Sequence, residues 1–212
     1  MKLCRILSIG ISALFHPLLL PTYIFTLIRY YAPIALSPLN TAEMRDSFIR
    51  LIFLSTFFLP FLLLTLYIMI QNGQWAIKNF FMENAKERVF PLFVIGSVYS
   101  VLTYFIKSSP YLNELIFAVM TCTTLSILMI ALISNFWKIS AHAVGISGTI
   151  GLLAIVNYKI ADATLFFPIT ILIVLAGFLF SARLYLNAHY PAQIWAGSLL
   201  GFLMSGFGYF FL

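Results

Sequence analysis

The chain has 212 residues, of which 62% are hydrophobic and 8% are charged, and its formal net charge is +6. Charged residues make up about a quarter of a soluble globular domain, so this composition excludes a soluble domain and predicts an integral membrane protein. The basic residues are scattered instead of forming a dense run, which argues against nucleic-acid binding and favours membrane orientation and anion binding. Cys4 and Cys122 both lie in apolar stretches, and two lone thiols have no disulfide or metal-binding spacing, so they predict neither a metal site nor a cofactor site.

The apolar stretches predict an all-α bundle of about six to seven transmembrane helices, in one polytopic domain over residues 1–212. A bilayer is crossed by about 20 apolar residues. The predicted spans are, in chain order, Ile6–Ile28, Leu51–Ile70, Pro91–Ile106, Leu112–Phe136, Ala143–Asn157, Leu165–Phe180 and a last one from Pro191 to the C-terminus. The first span is expected to kink around Pro17 and Pro21, and to be retained because no A-x-A-like cleavage site follows it. The polar segments Pro33–Arg50 and Gln71–Phe90 are expected to lie between spans.

Three polar clusters are expected to meet at one end of this bundle. Because each span switches sides, the segments after the second, fourth and sixth spans share one face, and these are Lys86–Pro91, Lys138–His142 and Arg183–His189. We call this end the motif face. Charges that simply cap helix ends would give similar clusters on the opposite face, yet the inter-span segments of that face contain no histidine.

The remaining basic residues bear on orientation. With the candidate site residues left out, the motif face keeps Lys2, Arg5 and Lys78, and the opposite face has Arg29, Arg45, Arg50, Lys107 and Lys159. Cytoplasmic loops carry an excess of Lys and Arg. The count favours a cytoplasmic opposite face, although Lys2 and Arg5 at the start of the chain argue the other way. The expected location is a bacterial inner membrane, with the motif face directed toward the periplasm.

The segment Lys138-Ile-Ser-Ala-His142 is expected to open the fifth span. Ser140 is a good N-cap residue, so the free N–H groups of the following turn would point toward the motif face, where a helix N-terminus binds anions. Lys138 adds a positive charge beside it. Taken alone, the segment also fits an ordinary capped helix with an interfacial histidine.

The stretch Ser181–Gly197 contains Arg183 and His189 within a sequence that is otherwise almost continuously apolar. Ionisable groups in such surroundings indicate a functional site. Arginine suits a phosphoryl group because its planar fork donates two parallel hydrogen bonds. Upstream, Arg88 and Lys86 precede the third span; taken alone they fit a snorkelling basic cluster at a helix start.

These segments resemble the three signatures of the type 2 phosphatidic acid phosphatase (PAP2) superfamily. The third signature is Ser-Arg, five residues, His, three residues, Asp. Arg183 and His189 stand at that separation, with Ser181 one place early and Gln193 where the Asp belongs. The second signature, Pro-Ser-Gly-His, is matched in part: Ser140 and His142 are in place, and Ile139 and Ala141 replace the Pro and the Gly.

The first PAP2 signature, Lys, six residues, Arg-Pro, is matched least well. Arg88 stands near Pro91 instead of beside it, and the lysine is Lys86 or the more distant Lys78. The three segments together place the PAP2-like core at residues 86–201, after N-terminal helices and loops over residues 1–85.

The resemblance implies a metal-independent membrane phosphatase that hydrolyses a lipid phosphate, such as phosphatidic acid, or a polyprenyl diphosphate, such as undecaprenyl diphosphate. His189 would be the nucleophile that forms a phosphohistidine, and His142 would protonate the leaving alkoxide. The implied phosphate-binding residues are Arg183, Arg88, Lys86, Ser140 and Lys138.

Gln193 occupies the position of the family's orienting carboxylate. Its carbonyl oxygen can accept the Nδ1 proton of His189, but it supplies no negative charge; replacing the orienting Asp of a serine protease by an amide costs about 10⁴ in turnover. Either Gln193 suffices at a reduced rate, or Glu83 or Glu87 substitutes, or the protein binds phosphate without hydrolysing it.

Two alternatives stay open on the sequence alone. One is a catalytically weakened PAP2-like protein that binds or carries phospholipid, for which Gln193 is the main evidence. The other is a heme-binding electron carrier that uses two of His16, His142 and His189, although the helix-end positions of the last two argue against it. His16 itself is expected to be a packed or interfacial histidine. The oligomeric state is left open.

Overall fold

The computed structural model describes residues 2–72, 85–109, 112–161 and 163–211. All regular elements in these ranges are helical, so the predicted all-α fold class is confirmed. Lys78 and Glu83, which the sequence offered as alternative site residues, lie outside the described residues. The α-helices of the described ranges are α1 (Lys2–Leu14), α2 (Leu20–Tyr31), α3 (Ala42–Phe53), α4 (Leu59–Asn72), α5 (Val89–Ser108), α6 (Glu114–Ile133), α7 (Ala141–Ile160), α8 (Phe166–Tyr185) and α9 (Pro191–Phe211).

The helices confirm an integral membrane protein. Within the described residues, six segments are long and apolar enough to cross a membrane: Lys2–Tyr31, Ala42–Ile70, Lys86–Ser108, Glu114–Ile133, Ala141–Ile160 and Ala163–Tyr185. Helix α9 adds a further 21 residues, which at 1.5 Å per residue extend for about 31 Å. The predicted spans recur in order, with ends displaced by a few residues except at the start of the second span.

The first span is interrupted where the sequence predicted a kink. Helix α1 ends at Leu14, and a short 3₁₀ helix, Pro17–Leu19, leads into α2. Pro17 has no N–H to continue the helical hydrogen bonds. Pro21, the second predicted position of opening, instead lies in the first turn of α2, where proline is tolerated.

The second span begins earlier than predicted. Residues up to Arg50 were expected to form a polar loop, but α3 begins at Ala42 and includes most of them. The Thr41 side chain caps this helix by accepting a hydrogen bond from the Met44 N–H at 3.1 Å. The prediction was wrong because it assigned these charged residues to a loop, whereas they form the first turns of a capped helix. A π-helical segment, Leu54–Phe58, then joins α3 to α4.

Among the described residues, helices α7 and α9 form the most extensively packed helix pair. A Cβ atom on Gly201 would collide with the Val144 carbonyl oxygen and would lie 2.8 Å from the Gly148 nitrogen. Small residues at such positions let helix backbones approach closely within a membrane. The backbone N–H of Ser140 also donates to the Gln193 carbonyl oxygen at 3.3 Å, so the two helix starts, which carry the second and third motif segments, are held side by side.

Candidate functional site

A tight turn between α8 and α9 brings Arg183 and His189 together. Asn187 adopts a left-handed backbone with φ of 51°, a conformation that asparagine tolerates well. The Ala188 N–H donates to the Arg183 carbonyl oxygen at 3.1 Å, and the Asn187 N–H donates to the Leu184 carbonyl oxygen at 2.9 Å. This pair of bonds is a Schellman motif, and it places Arg183 in the last turn of α8 and His189 just before α9.

Gln193 orients His189. The Gln193 Oε1 atom lies 3.0 Å from His189 Nδ1, and the same oxygen accepts the Tyr190 backbone N–H at 3.2 Å. A backbone N–H only donates, so the atom it faces must be the amide oxygen, and the imidazole nitrogen beside that oxygen must carry its proton. His189 is therefore held as the Nδ1–H tautomer, which leaves the Nε2 lone pair free to attack an electrophile.

The surroundings of His189 keep its imidazole neutral. Its side chain is 5% exposed, and burial lowers its pKa to about 4. The hydrogen bond to Gln193 opposes this by raising the pKa, whereas the positive charges of Arg183, Arg88 and Lys138 lower it further. At neutral pH the ring is thus an unprotonated nucleophile, and three cations lie close enough to influence its ionisation.

The second motif segment takes the expected form of a capped helix start. Ser140, at 0% exposure, accepts a hydrogen bond from the Ala143 N–H at 3.4 Å. His142, in the first turn of α7, places Nε2 3.0 Å from the Ser12 carbonyl oxygen. Since a carbonyl only accepts, His142 carries its proton on Nε2, and Nδ1 is the nitrogen available for proton exchange.

One cavity of about 560 Å³ is lined by Arg88, His142, Arg183 and His189, together with Ser12 and His16, whereas Ser140 and Gln193 do not line it. Four further hydroxyl-bearing residues line it as well: Thr123, Ser126, Thr149 and Ser205. Its α7 wall runs from Ala141 to Leu152, about 16 Å along the helix axis. Most of the remaining lining is apolar and includes Ile24, Leu92, Ile95, Ile127, Ile130 and Leu152.

The Arg183 side chain, which lines this cavity, has an unsatisfied hydrogen-bond donor within the described part of the chain. Its Nε atom is buried and has no hydrogen-bond partner among the described residues. A buried donor without an acceptor is unfavourable by about 1–3 kcal/mol, and more for a charged group. An anion bound at this end of the cavity would satisfy it.

The other predicted site residues do not line the cavity. Lys138 is half-buried, and Gln193 stands behind His189 instead of lining the cavity. Lys86 is exposed and does not line the cavity. Glu87, proposed as a substitute carboxylate, is also exposed, and the Nδ1 position of His189 is occupied by Gln193.

His16 and Ser12 belong to this cavity although the sequence did not predict it. The ring centroids of His16 and His142 are 5.9 Å apart, and the rings stand edge to face at 83°. The signal that could have found His16 is the His-Pro pair inside an apolar span, because the break in the helix turns that histidine into the bundle. No comparable signal marks Ser12.

The described residues contain no group of three or more His, Cys, Asp or Glu side chains arranged to hold a metal ion. Neither a protein-family model, nor a curated protein, nor a solved structure matches this chain.

Proposed function

We propose that this protein is a membrane lipid phosphatase of the PAP2 type, which hydrolyses a lipid phosphate or a polyprenyl diphosphate through a phosphohistidine intermediate. The observation that carries the proposal is the buried His189–Gln193 pair, with its free Nε2 atom, at the cationic end of an otherwise apolar cavity. Cations recognise a phosphoryl group, apolar walls accept a hydrocarbon chain, and a neutral imidazole attacks phosphorus.

In the first step Arg88 and Arg183 hold the phosphoryl oxygens, with Lys138 adding positive charge from nearby. The Nε2 lone pair of His189 forms a bond to phosphorus while the bond between phosphorus and the leaving oxygen breaks. His142, protonated on both nitrogens when an anionic ester occupies the site, gives its Nδ1 proton to that oxygen and keeps its Nε2 proton on the Ser12 carbonyl. The products are a lipid alcohol, or a polyprenyl phosphate, and phosphohistidine.

In the second step a water molecule attacks the phosphohistidine. Neutral His142 accepts one proton of the water at Nδ1, the N–P bond breaks, and its electron pair returns to His189 Nε2. Inorganic phosphate then leaves the cations. The enzyme recovers neutral His189 and doubly protonated His142, the state in which the first step began, so the cycle requires water alone as a second substrate.

A second candidate function is phospholipid binding without turnover, and Gln193 favours it. In the first step His189 acquires positive charge as its Nε2 bonds to phosphorus. A carboxylate at position 193 would stabilise that charge, whereas an amide only orients the ring. The same cavity would then hold a lipid phosphate without cleaving it.

Phosphate release by the purified protein in detergent tests the proposal. The substrates are phosphatidate, phosphatidylglycerophosphate and undecaprenyl diphosphate, and His189→Ala is the control. Release by the wild type that disappears in His189→Ala is the expected result. Release by Gln193→Asp alone would identify a binding protein, and no release by any of the three proteins would overturn the proposal.

We also propose that the motif face is periplasmic in a bacterial inner membrane. In a variant without Cys4 and Cys122, a cysteine at the exposed position Asn187 should react with a membrane-impermeant maleimide added to spheroplasts. A cysteine at the exposed position Ile34, at the other end of α2, should react only after lysis. The reverse pattern would contradict this orientation.

A further inference from the structure

Because the helix of the first span is interrupted, the Ser12 carbonyl oxygen can accept a hydrogen bond from a residue outside that helix. In a continuous helix this oxygen would accept the N–H of His16, but that N–H bonds to the Ala13 carbonyl oxygen at 3.2 Å instead. The Ser12 carbonyl is thereby released from the helix, and it accepts the Nε2–H of His142 at 3.0 Å. The end of α1 is thus part of the candidate site.

The same interruption fixes the tautomer of His16. Its Nδ1 atom accepts the Leu18 backbone N–H at 3.4 Å and caps the 3₁₀ turn. A nitrogen that accepts a hydrogen bond cannot carry a proton, so the neutral ring has its proton on Nε2. His16 therefore brings a neutral N–H donor to the cavity that it lines with His142.

Ser12 brings a second neutral donor. Its side chain is 8% exposed, lines the cavity, and has a hydroxyl without a hydrogen-bond partner among the described residues. Against a purely hydrocarbon ligand this hydroxyl would remain unpaired, which is unfavourable. A ligand with an acceptor oxygen at that position would satisfy it.

Both donors lie beside the residue that serves the leaving group. Ser12 and His16 each contact His142. Arg88 acts on the nucleophile His189, whereas Arg183 lies close enough to act on all three histidines. We propose that the Ser12 hydroxyl and the His16 Nε2–H form a leaving-group subsite, which binds acceptor oxygens located between the scissile phosphoryl group and the hydrocarbon tail. This inference rests on the proposed phosphatase function.

The subsite narrows the substrate class. A plain prenyl or alkyl monophosphate has only hydrocarbon after its bridging oxygen, so it leaves both donors unsatisfied. A diphosphate offers the oxygens of its second phosphate, and a glycerolipid offers its ester oxygens. We therefore expect the protein to prefer a substrate of these two kinds over a monophosphate with the same tail.

The test measures kcat/KM for farnesyl diphosphate, phosphatidate and farnesyl monophosphate. The wild type should prefer at least one of the first two, and Ser12→Ala should reduce that preference over farnesyl monophosphate by about tenfold, the effect of one lost hydrogen bond. A loss with farnesyl diphosphate assigns the subsite to the second phosphate, and a loss with phosphatidate assigns it to the glycerol esters. Ser198→Ala is the matched control, because Ser198 is also buried and unpartnered among the described residues but does not line the cavity.

Two variants of His16 separate its donor from its role in the turn. His16→Asn keeps an oxygen that can accept the Leu18 N–H but removes the Nε2–H, so it should reduce the preference as Ser12→Ala does. His16→Gln places an amide N–H near the Nε2 position and should recover part of it. Equal losses with all three substrates, or an unchanged preference in both Ser12→Ala and His16→Asn, would overturn the subsite. If the wild type releases phosphate from none of the substrates while it still binds them, the phosphatase proposal fails first and the subsite with it.

Discussion

At the scale of single residues, a carboxylate beside a catalytic histidine both orients the ring and stabilises its positive charge, whereas Gln193 only orients the ring. It receives the Nδ1–H of His189 at 3.0 Å, and the Tyr190 N–H fixes which end of the amide faces the ring. Orientation is therefore present without negative charge. We expect Gln193→Glu, which has the same reach, to raise turnover by on the order of 10²–10⁴.

The Gln193→Glu variant should also raise the pKa of His189 above its value of about 4, because a carboxylate favours the imidazolium form. Steady-state turnover and an NMR titration of ring-labelled histidine measure the two effects. Gln193→Asp, whose side chain is one methylene shorter, tests whether the effect depends on the carboxylate reaching the Nδ1 atom of His189. Lower turnover in Gln193→Glu than in the wild type would show that charge at this position is not what limits the rate.

The lowered pKa of His189 makes the fold sensitive to acid. The folded value is about 4 and the ordinary value is 6.5, so between these pH values the unfolded chain takes up a proton that the folded protein does not. The free energy of unfolding should decrease as the pH falls from 6.5 to 4, by up to about 3 kcal/mol from this residue. In phosphate-free detergent, the apparent unfolding midpoint of His189→Asn should decrease less over this pH range than that of the wild type. Parallel curves for the two proteins would contradict the assignment.

The site residues that the sequence predicted are those with local signals. Arg183 and His189 are six positions apart, and the Schellman turn between them depends on neighbouring residues alone. The contribution of Ser12 depends on a backbone carbonyl that the helix releases and on contact with a residue 130 positions away. No local pattern encodes either fact, so Ser12 could not be predicted from the sequence, whereas for His16 the His-Pro pair inside an apolar span is a local signal.

At the scale of elements, the pairing of α7 with α9 holds the two motif segments side by side. Gly201→Ala should lower the free energy of unfolding by about 1–3 kcal/mol, as overpacking does, because the added methyl group meets backbone atoms of α7. It should also reduce turnover, since a shift of α9 moves His189 relative to His142. Thermal unfolding in detergent and phosphate release measure these effects.

Gly206→Ala is the matched control for this pair, because Gly206 lies in the same helix and a Cβ atom there would meet nothing within 4 Å. That variant should be as stable as the wild type, or slightly more stable because alanine favours helix. Equal destabilisation of the two variants would refute the packing argument.

The transmembrane spans were predicted correctly where the length of the apolar stretch alone determines the extent of the helix. It failed between Ala42 and Arg50, because α3 continues its apolar span into charged residues. The Thr41 cap and the ion pair between Arg29 and Asp46 stabilise that extension. Caps and long-range ion pairs of this kind require contacts between parts of the chain that a count of apolar residues does not consider.

At the scale of the whole molecule, the cavity combines a cationic end with apolar walls of limited length. For butyl, octyl, dodecyl and hexadecyl phosphate, we expect affinity to increase by about fourfold for each added methylene group, until the chain fills the apolar part. Inhibition of phosphate release from a reference substrate measures the series. A flat series would show that the tail stays outside the cavity.

Thr149→Leu tests where the tail lies. Thr149 lines the cavity two turns of α7 beyond His142, so added bulk there should end the increase at a shorter chain. A series identical to that of the wild type would place the tail elsewhere. Thr170 is exposed on α8 and does not line the cavity, so Thr170→Leu provides the control.

The cationic end of the cavity has a consequence for regulation. The buried Nε donor of Arg183 has no acceptor among the described residues, so this end of the cavity attracts any phosphoryl anion, whether or not a lipid is attached. Inorganic phosphate, the product of the proposed reaction, would then compete with each new substrate molecule. The rate of lipid dephosphorylation would fall as phosphate accumulates in the compartment that the motif face adjoins, and the protein would adjust the supply of lipid alcohol to the phosphate status of that compartment.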